Sequence, residues 1–353
     1  TRTRDLPRRL IRIAAGTAGC ARDCRPTRPP PIVGAMRTLS DLGEFGLIER
    51  IVARSRGPRR SGVVLGIGDD AAILRPRSGE DYVISTDAAV EDVHFSWAIH
   101  PPRIVGRRAL VANLSDLAAM GARPIGFTCA LAAPPDLPLQ RFDRLLDGLL
   151  DMSRLHACPL IGGNLARAER THVTLTVIGA VARGRALRRD ALRPGDRLFV
   201  TGTLGVSALA LHRATRLARP SRHVPTPRLA AGRALARMSG RRACIDLSDG
   251  LAGDLAHLAD ASGVGIEIDP SKLPMARGFA RACASEGLDP LALALAGGED
   301  YELLFGLPRD RPTGVASEAA LGRRLRVRVT EIGSVMRKPG VRGLPDLAGF
   351  RHW

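Results

Sequence analysis

Six short acidic signatures, most of them flanked by glycine, follow one another in a set order along the 353-residue chain. They are Gly66-Ile-Gly-Asp-Asp-Ala71, Ser85-Thr-Asp87, Asn113-Leu-Ser-Asp116, Ile161-Gly-Gly-Asn164, Asp246-Leu-Ser-Asp-Gly250 and Gly297-Gly-Glu-Asp-Tyr301. Gathered carboxylates repel one another and repel a polyphosphate, so a fold that gathers them must also recruit cations. Hard divalent cations such as Mg²⁺ prefer oxygen ligands and bind one or two carboxylates together with substrate phosphates. The set points to ATP used with several magnesium ions. It also demands a fold that carries six separated turns to one place.

Length and periodicity bound that fold. A chain of this size exceeds the roughly 250–300 residues at which single cores stop growing, so two domains are expected. Aromatic residues make up only 3%, which leaves Leu, Val, Ile and Ala to build the core. Strand-like runs stand at 63–67, 82–85, 125–132 and 173–181, with helical spacing over 39–51, 107–121 and 142–155. Asn113 and Asp116, three apart on the second helix, share one face. A Gly/Arg-rich connection, 184–195, then reads as a domain junction, dividing 36–183 from 184–353. Beyond it strands are expected at 197–201, 243–247, 266–268, 302–307 and 327–332, and helices at 206–217, 228–238 and 249–261. The expectation is an α/β chain of two mixed-sheet halves.

The formal charge of +18 raises the question of nucleic acid. Lys272 and Lys338 are the only lysines, and the remaining positive charge is arginine spread along the whole length, as a coding bias toward Arg, Ala, Gly and Pro would produce. Scarce aromatics also argue against a base-stacking surface. No nucleic-acid partner and no membrane partner are therefore expected; no apolar run approaches the ~20 residues that cross a bilayer. The six cysteines, at 20, 24, 129, 158, 244 and 283, form neither Cys-x-x-Cys nor a zinc-like cluster. Cys129 and Cys244 sit in apolar runs as buried small hydrophobes, and a reducing cytoplasm fits this usage. Residues 1–35 carry eight arginines against Asp5 and Asp23, with no periodic apolar pattern. They read as a disordered or mis-started leader, with Met36 as the working start.

Taken singly, each signature has an ordinary alternative. Asp69-Asp70 could be a solvated turn, and Ser85-Thr86-Asp87, ending a strand, could cap a helix. Asp116 could reach the surface of its helix, although an unpaired charge in so apolar a helix is expensive. Asp246 and Asp249 bracket a strand-to-helix junction whose N–H groups could receive phosphate oxygens, or Ser248 and Asp249 could cap it. Gly297–Tyr301 could be an acidic turn, and His94 a local structural histidine. Their joint occurrence in one order is what carries information.

That order resembles the thiamine-monophosphate kinases, a family within the aminoimidazole-ribonucleotide-synthetase-like ATP-binding superfamily. The resemblance runs from about Glu44 to Phe350 and is most specific at Gly66–Ala71, Ser85–Asp87, Ala112–Gly121, Ile245–Leu251 and Gly297–Leu303. It implies a two-domain architecture of mixed sheets, a homodimer, and ATP and thiamine monophosphate as substrates. It further implies that Asp70, Ser85, Thr86, Asp87, Asp116, Asn164, Asp246 and Asp249 hold several Mg²⁺ ions. Gly163, Asn164, Arg189 and Ser248 would contact the nucleotide, and His94, Glu299 and Phe350 the thiamine phosphate. One departure stands out. The family pattern has Asp after Ile-Gly-Gly, and this chain has Asn164, whose neutral oxygen should hold a weaker ion.

Phosphoryl transfer is mainly positioning and charge neutralisation. The acceptor phosphate already carries an anionic oxygen, so direct in-line transfer needs no strong general base and no dedicated catalytic residue. Neither lysine follows glycine as Gly-x-x-x-x-Gly-Lys-[Ser/Thr] requires, so the chain is not a P-loop kinase. Within the superfamily, the absence of cysteine between Met36 and Cys129 disfavours selenophosphate synthetase. The ending Phe-Arg-His-Trp353 likewise disfavours the hydrogenase-maturation relative. Aminoimidazole ribonucleotide synthetase is the enzymatic alternative, and a basic, non-enzymatic nucleotide- or nucleic-acid-binding protein the other.

Overall fold

One helix, buried along most of its length, holds the two sheets of the molecule together. In the computed structural model the described residues are 38–55, 62–65, 67, 73–75, 77–309 and 317–344. The expected leader, together with Asp69, Asp70 and Phe350, lies outside them. The described residues form one compact unit.

The first half comprises α1 (Gly43–Ser55), β1 (Val63–Leu65), β2 (Ile73–Leu74), β3 (Glu80–Val90), α2 (Pro102–Ala119), β4 (Arg123–Ala133), α3 (Leu139–His156), β5 (Leu160–Arg167) and β6 (His172–Ala182). Four of its strands form a sheet in the order β3-β6-β4-β5, antiparallel except for the parallel β4–β5 pair. After a single 3-10 turn at Arg189–Ala191 come β7 (Arg197–Thr201), α4 (Val206–Arg216), α5 (Leu229–Arg237), β8 (Ala243–Asp246), α6 (Leu251–Ser262) and β9 (Gly265–Ile268). The second half closes with α7 (Phe279–Ser285), α8 (Pro290–Ala296), β10 (Leu303–Leu307), α9 (Glu318–Leu325), β11 (Val329–Met336) and β12 (Gly340–Arg342). Its sheet runs β12-β9-β11-β7-β10-β8, antiparallel apart from β12–β9.

Helix α2 explains how the halves cohere. Leu110, Leu114, Leu117 and Ala118 are fully buried, and the charged residues of the helix, Arg107, Arg108 and Asp116 among them, each meet a polar partner. One face lies on β3 and β6; the others meet α3, α5 and β8. The α2–α3 crossing is close because both helices offer glycine there. A Cβ on Gly106 would stand 2.0 Å from the Leu145 carbonyl oxygen, and one on Gly148 would stand 2.1 Å from that of Arg103. The helix ends as its sequence suggests: Gly121 takes a positive φ of 72°, and the Ala122 N–H closes on the Leu117 carbonyl at 2.8 Å. Because Leu117, Leu235 and Phe305 share one continuous core, the two sheets are clamped around this helix.

The expected elements recur, while β2, α7, α8, α9 and β12 were not expected, and two further differences are instructive. Strand β3 does not end at Ser85–Asp87: it runs to Val90, with every residue from Glu80 onward paired to β6. Pairing overrides the weak strand preference of Asp87-Ala-Ala. Ile161-Gly-Gly-Asn164, poor in strand formers, nevertheless lies in β5 because β4 supplies a partner for it. Cys244 is buried as expected, and Cys129, half-buried, packs against the core on the same face of β4 as Phe127 and Leu131. Among the described residues no helix is long and apolar enough to cross a membrane. Arginine is widely engaged in internal ion pairs, among them Arg107–Asp151, Arg123–Glu80, Arg228–Glu302 and Arg241–Asp196.

Candidate active site

Four pieces of the fold deliver acidic signatures to one cleft. β3 brings Thr86 and Asp87, α2 brings Asp116, the end of β8 and the turn into α6 bring Asp246, Ser248 and Asp249, and the α8–β10 turn brings Glu299 and Tyr301. The cleft measures about 560 Å³. A smaller recess of about 40 Å³, between His94, Phe95, Arg108 and Asn113, adjoins it and shares the Asp87, Glu299 and Tyr301 walls.

Ser85 reaches from β3 to α2, its Oγ donating to Asp116 Oδ2 at 2.5 Å. Thr86, on the opposite side of the strand, pairs its hydroxyl with that of Thr176 at 2.9 Å. Asp87 Oδ1 accepts from the Ala88 N–H at 2.7 Å. Asn113 lies one turn before Asp116. Its amide nitrogen donates to the Ala109 carbonyl at 3.0 Å, and its buried Oδ1 has no partner in the fold. The His94 Nδ1 accepts from the Val90 N–H at 3.2 Å.

The electrostatics are those of crowded carboxylates. Asp246 is buried, and its pKa is pushed up to about 7, first by burial and then by the charge of Asp116. Asp116 is itself raised, chiefly by burial, with Ser85 opposing and Asp87 adding to the shift. Arg189, on the 3-10 turn, is near enough to pull both back down. Asp254, buried on the first turn of α6, is pushed up to about 8 by burial and by Asp246 and Asp249; it accepts from the Asp249 N–H at 3.3 Å.

The last two signatures are stitched together through their backbones. The Glu299 N–H donates to the Ser248 carbonyl at 2.8 Å, and the Tyr301 N–H to that of Leu247 at 2.9 Å. A Cβ on Gly298 would fall 2.6 Å from the Ser248 carbonyl oxygen, so the turn needs glycine there. Glu299 and Tyr301 both hold positive φ, 63° and 51°, an uncommon state for residues with side chains that clusters at functional sites. Between them Asp300 points away from the cleft and accepts from the N–H groups of Gly205 (2.6 Å) and Ser207 (3.1 Å) at the start of α4. Ser207 Oγ returns a bond to the Glu299 carbonyl at 2.8 Å. The Glu299 carboxylate is paired with the Arg108 guanidinium, which arrives from α2.

Gly163 and Asn164 stand apart. The register Asp87↔Leu175, Leu175↔Cys129, Cys129↔Gly163 places Gly163 in the same cross-sheet row as Asp87, on the opposite edge strand. Three strand spacings separate them, about 14 Å. The structure therefore groups Thr86, Asp87, His94, Asp116, Asp246, Ser248, Asp249 and Glu299 at one cleft, with Ser85 bonded to Asp116 from beside it and Arg189 close behind, and leaves Gly163 and Asn164 at the far edge of the sheet.

The donor set suits magnesium. The aspartate, serine and threonine side chains gathered here offer oxygen atoms, and the raised pKa values of Asp116, by burial and Asp87, and of Asp246, by burial and Asp116, mark a place that favours added positive charge. Among the described residues no three acidic, histidine or cysteine groups already form a joint ligand set. An ion here would take one or two carboxylates and complete its shell from phosphate and water, as Mg²⁺ commonly does.

Residues 68–181 match the family model of AIR synthase related protein, N-terminal domain, and residues 193–343 that of its C-terminal domain. The thiamine-monophosphate kinase of Synechococcus elongatus is 39% identical over 320 residues, covering 86% of this chain and 92% of its own length. The chain belongs to the thiamine-monophosphate kinase family. It is an enzyme of the kinase class. The crystal structure of thiamine-monophosphate kinase from Stenotrophomonas maltophilia K279a is 36% identical and superposes with a TM-score of 0.73, covering 85% of this chain and 96% of that one. AaThiL complexed with AMPPCP and TMP superposes at 0.69 with 31% identity, covering 90% of this chain and 99% of that one.

Sequence reasoning missed Arg108, Ser207 and Asp254. Arg108 is one arginine among many in an Arg-rich chain and carries no local signature. Ser207 acts through a contact 92 residues away. Asp254 was legible in part, since it follows Asp249 within the same helical turn region, but its burial was not.

Proposed function

We propose that the chain transfers the terminal phosphoryl group of ATP to thiamine monophosphate by direct in-line displacement, giving thiamine diphosphate and ADP. The observation that carries this reading is the convergence of Asp87, Asp116, Asp246 and Asp249 on one cleft that ends at His94 and Glu299. Asp87, Asp116, Asp246 and Asp249, with Ser85 and Thr86, would hold magnesium ions, and Asp70 is assigned with them from sequence alone. Bound magnesium would supply the positive charge that lets polyphosphate enter an acidic cleft and would stabilise charge on the transferring group.

The chain's own residues position the two substrates. Ser248, at the strand-to-helix turn, and Arg189 face the nucleotide; Gly163 and Asn164, at the far edge of the sheet, are proposed to reach its outer part. Glu299 offers a carboxylate to the positively charged thiazolium ring, and His94 walls the same end. Phe350 is assigned there from sequence alone. The acceptor oxygen attacks as an anion, so the chain needs to align it rather than deprotonate it. AaThiL complexed with AMPPCP and TMP supports the binding of a nucleotide, AMPPCP being an ATP analogue, together with TMP.

We further propose a cytoplasmic homodimer in which 36–183 and 184–353 act as functional halves. The open outer side of the first sheet supports dimerisation, with Ile84 65% and Tyr82 40% exposed on edge strand β3. A calorimetric titration tests the substrate assignment. Thiamine monophosphate should bind to the chain preloaded with AMPPCP and Mg²⁺, and Glu299→Gln should weaken that binding without weakening AMPPCP. Equal binding of thiamine monophosphate to both proteins would contradict it.

A further inference from the structure

Arg108 has no part in the assignments above, yet it occupies a decisive place. It rises from α2, which belongs to the first sheet, and its guanidinium meets the Glu299 carboxylate on the α8–β10 turn of the second half. Its side chain is only 11% exposed, whereas that of Glu299 is 35% exposed. Two histidines flank the pair: His100, buried on the chain leading into α2, and His223, whose Nε2 lies 2.9 Å from Ser207 Oγ. Burial and the charge of Arg108 lower the pKa of both, keeping them neutral near pH 7.

The backbone of Glu299 is already fixed by its bond to Ser248, by Ser207 and by the neighbouring Asp300 anchor. What those bonds leave free is the side chain. A glutamate beside Asp87 and Asp246 would swing away from them to relieve repulsion. These four groups all lie close enough to the buried Tyr301 hydroxyl to act on its ionisation, the carboxylates disfavouring it and Arg108 favouring it. A planar, permanently charged guanidinium is suited to fixing a carboxylate in one orientation.

We propose that Arg108 is a positioning residue for the acceptor: it holds the Glu299 carboxylate at the closed end of the cleft so that its free edge faces the cationic ring of the second substrate. The same bond ties α2 to the α8–β10 turn, so the acceptor end is assembled only when the two halves are in register. This proposal rests on the functional reading above, because it presumes a cationic acceptor at Glu299.

The test is a double-mutant cycle read by steady-state kinetics, with ATP and thiamine monophosphate varied separately. Arg108→Gln should raise the KM for thiamine monophosphate about tenfold, while the KM for ATP stays within about twofold, and Glu299→Gln should do the same. The double variant should be no worse than the worse single, because both changes remove one interaction. Arg108→Lys, which keeps charge without the fork, should recover part of the loss. Losses that multiply to about a hundredfold, or that fall equally on ATP, would overturn the proposal and show Arg108 acting on a phosphate by itself. If Arg108→Gln does not fold, Arg108→Lys carries the test: its effect on KM should vanish in the Glu299→Gln background, and persistence there would overturn the proposal. An unaltered chain that makes no thiamine diphosphate would overturn the functional reading as well; a working chain with additive losses would overturn this proposal alone.

Discussion

Ser85 on β3 donates its hydroxyl to Asp116 on α2 at 2.5 Å, joining two signatures that lie 31 residues apart and fixing one oxygen of a carboxylate that faces the cleft. The bond leaves the other oxygen of Asp116 available and sets its direction. Removing the hydroxyl should therefore loosen the carboxylate rather than delete it. Ser85→Ala is expected to weaken magnesium activation by at least about 10–100-fold, because it removes a proposed ligand oxygen as well as the partner that orients Asp116. Asp116→Ala should lower kcat by at least about 10²-fold. A magnesium titration of initial rate checks both, and an unchanged magnesium requirement in Ser85→Ala would count against the assignment.

Glu302 supports the site from behind. It is buried, takes both donors of the Arg228 guanidinium and accepts from Thr201 Oγ1 at 2.6 Å. Removing its carboxylate leaves the part-buried Arg228 guanidinium and the buried Thr201 hydroxyl without their acceptor. Glu302→Ala should lower stability by about 3 kcal/mol or more. Urea unfolding monitored by circular dichroism measures this. A loss below about 1 kcal/mol would show the pair to be energetically neutral, as exposed pairs commonly are.

The acidic cleft sets a pH dependence of defined sign. Asp246, Asp254 and Asp300 have their pKa values pushed up to about 7, 8 and 6, in each case mainly by burial. The folded chain then binds protons that the unfolded chain has released, so stability falls as pH rises across this interval. Their contribution is fully present below the ordinary aspartate value of 3.8 and is lost as pH climbs from there to about 8. In EDTA, melting temperature should fall between pH 5 and pH 8, the interval these shifts span. Asp254→Asn, which cannot ionise, should flatten that slope; an unaltered slope would contradict it.

Much of this was legible beforehand. The mixed α/β architecture follows from periodicity, because strands such as 197–201 and helices such as 107–121 are bounded by clear apolar patterns. The acidic signatures could be recognised because their residue types carry chemistry at any distance. What escaped reading depends on partners. The reach of β3 to Val90 and the strand at Leu160–Arg167 arise from pairing, not propensity. The Arg108–Glu299 pair spans 191 residues, and nothing local to Arg108 distinguishes it from its neighbour Arg107, which pairs instead with Asp151.

Asn164 offers a separate test. It is exposed on β5, one residue beyond the Gly163 row. Restoring the family's carboxylate with Asn164→Asp should lower the magnesium concentration for half-maximal rate several-fold, of the order expected for one added charged ligand. An unchanged magnesium dependence would remove Asn164 from the ligand set.

The central claim is best tested by following ADP and thiamine diphosphate together from ATP, Mg²⁺ and thiamine monophosphate. Equal appearance of the two products, abolished by EDTA and by Asp116→Ala, is the predicted result. ADP without thiamine diphosphate, from well-folded protein, would contradict the account by leaving a nucleotide site whose acceptor is a different molecule.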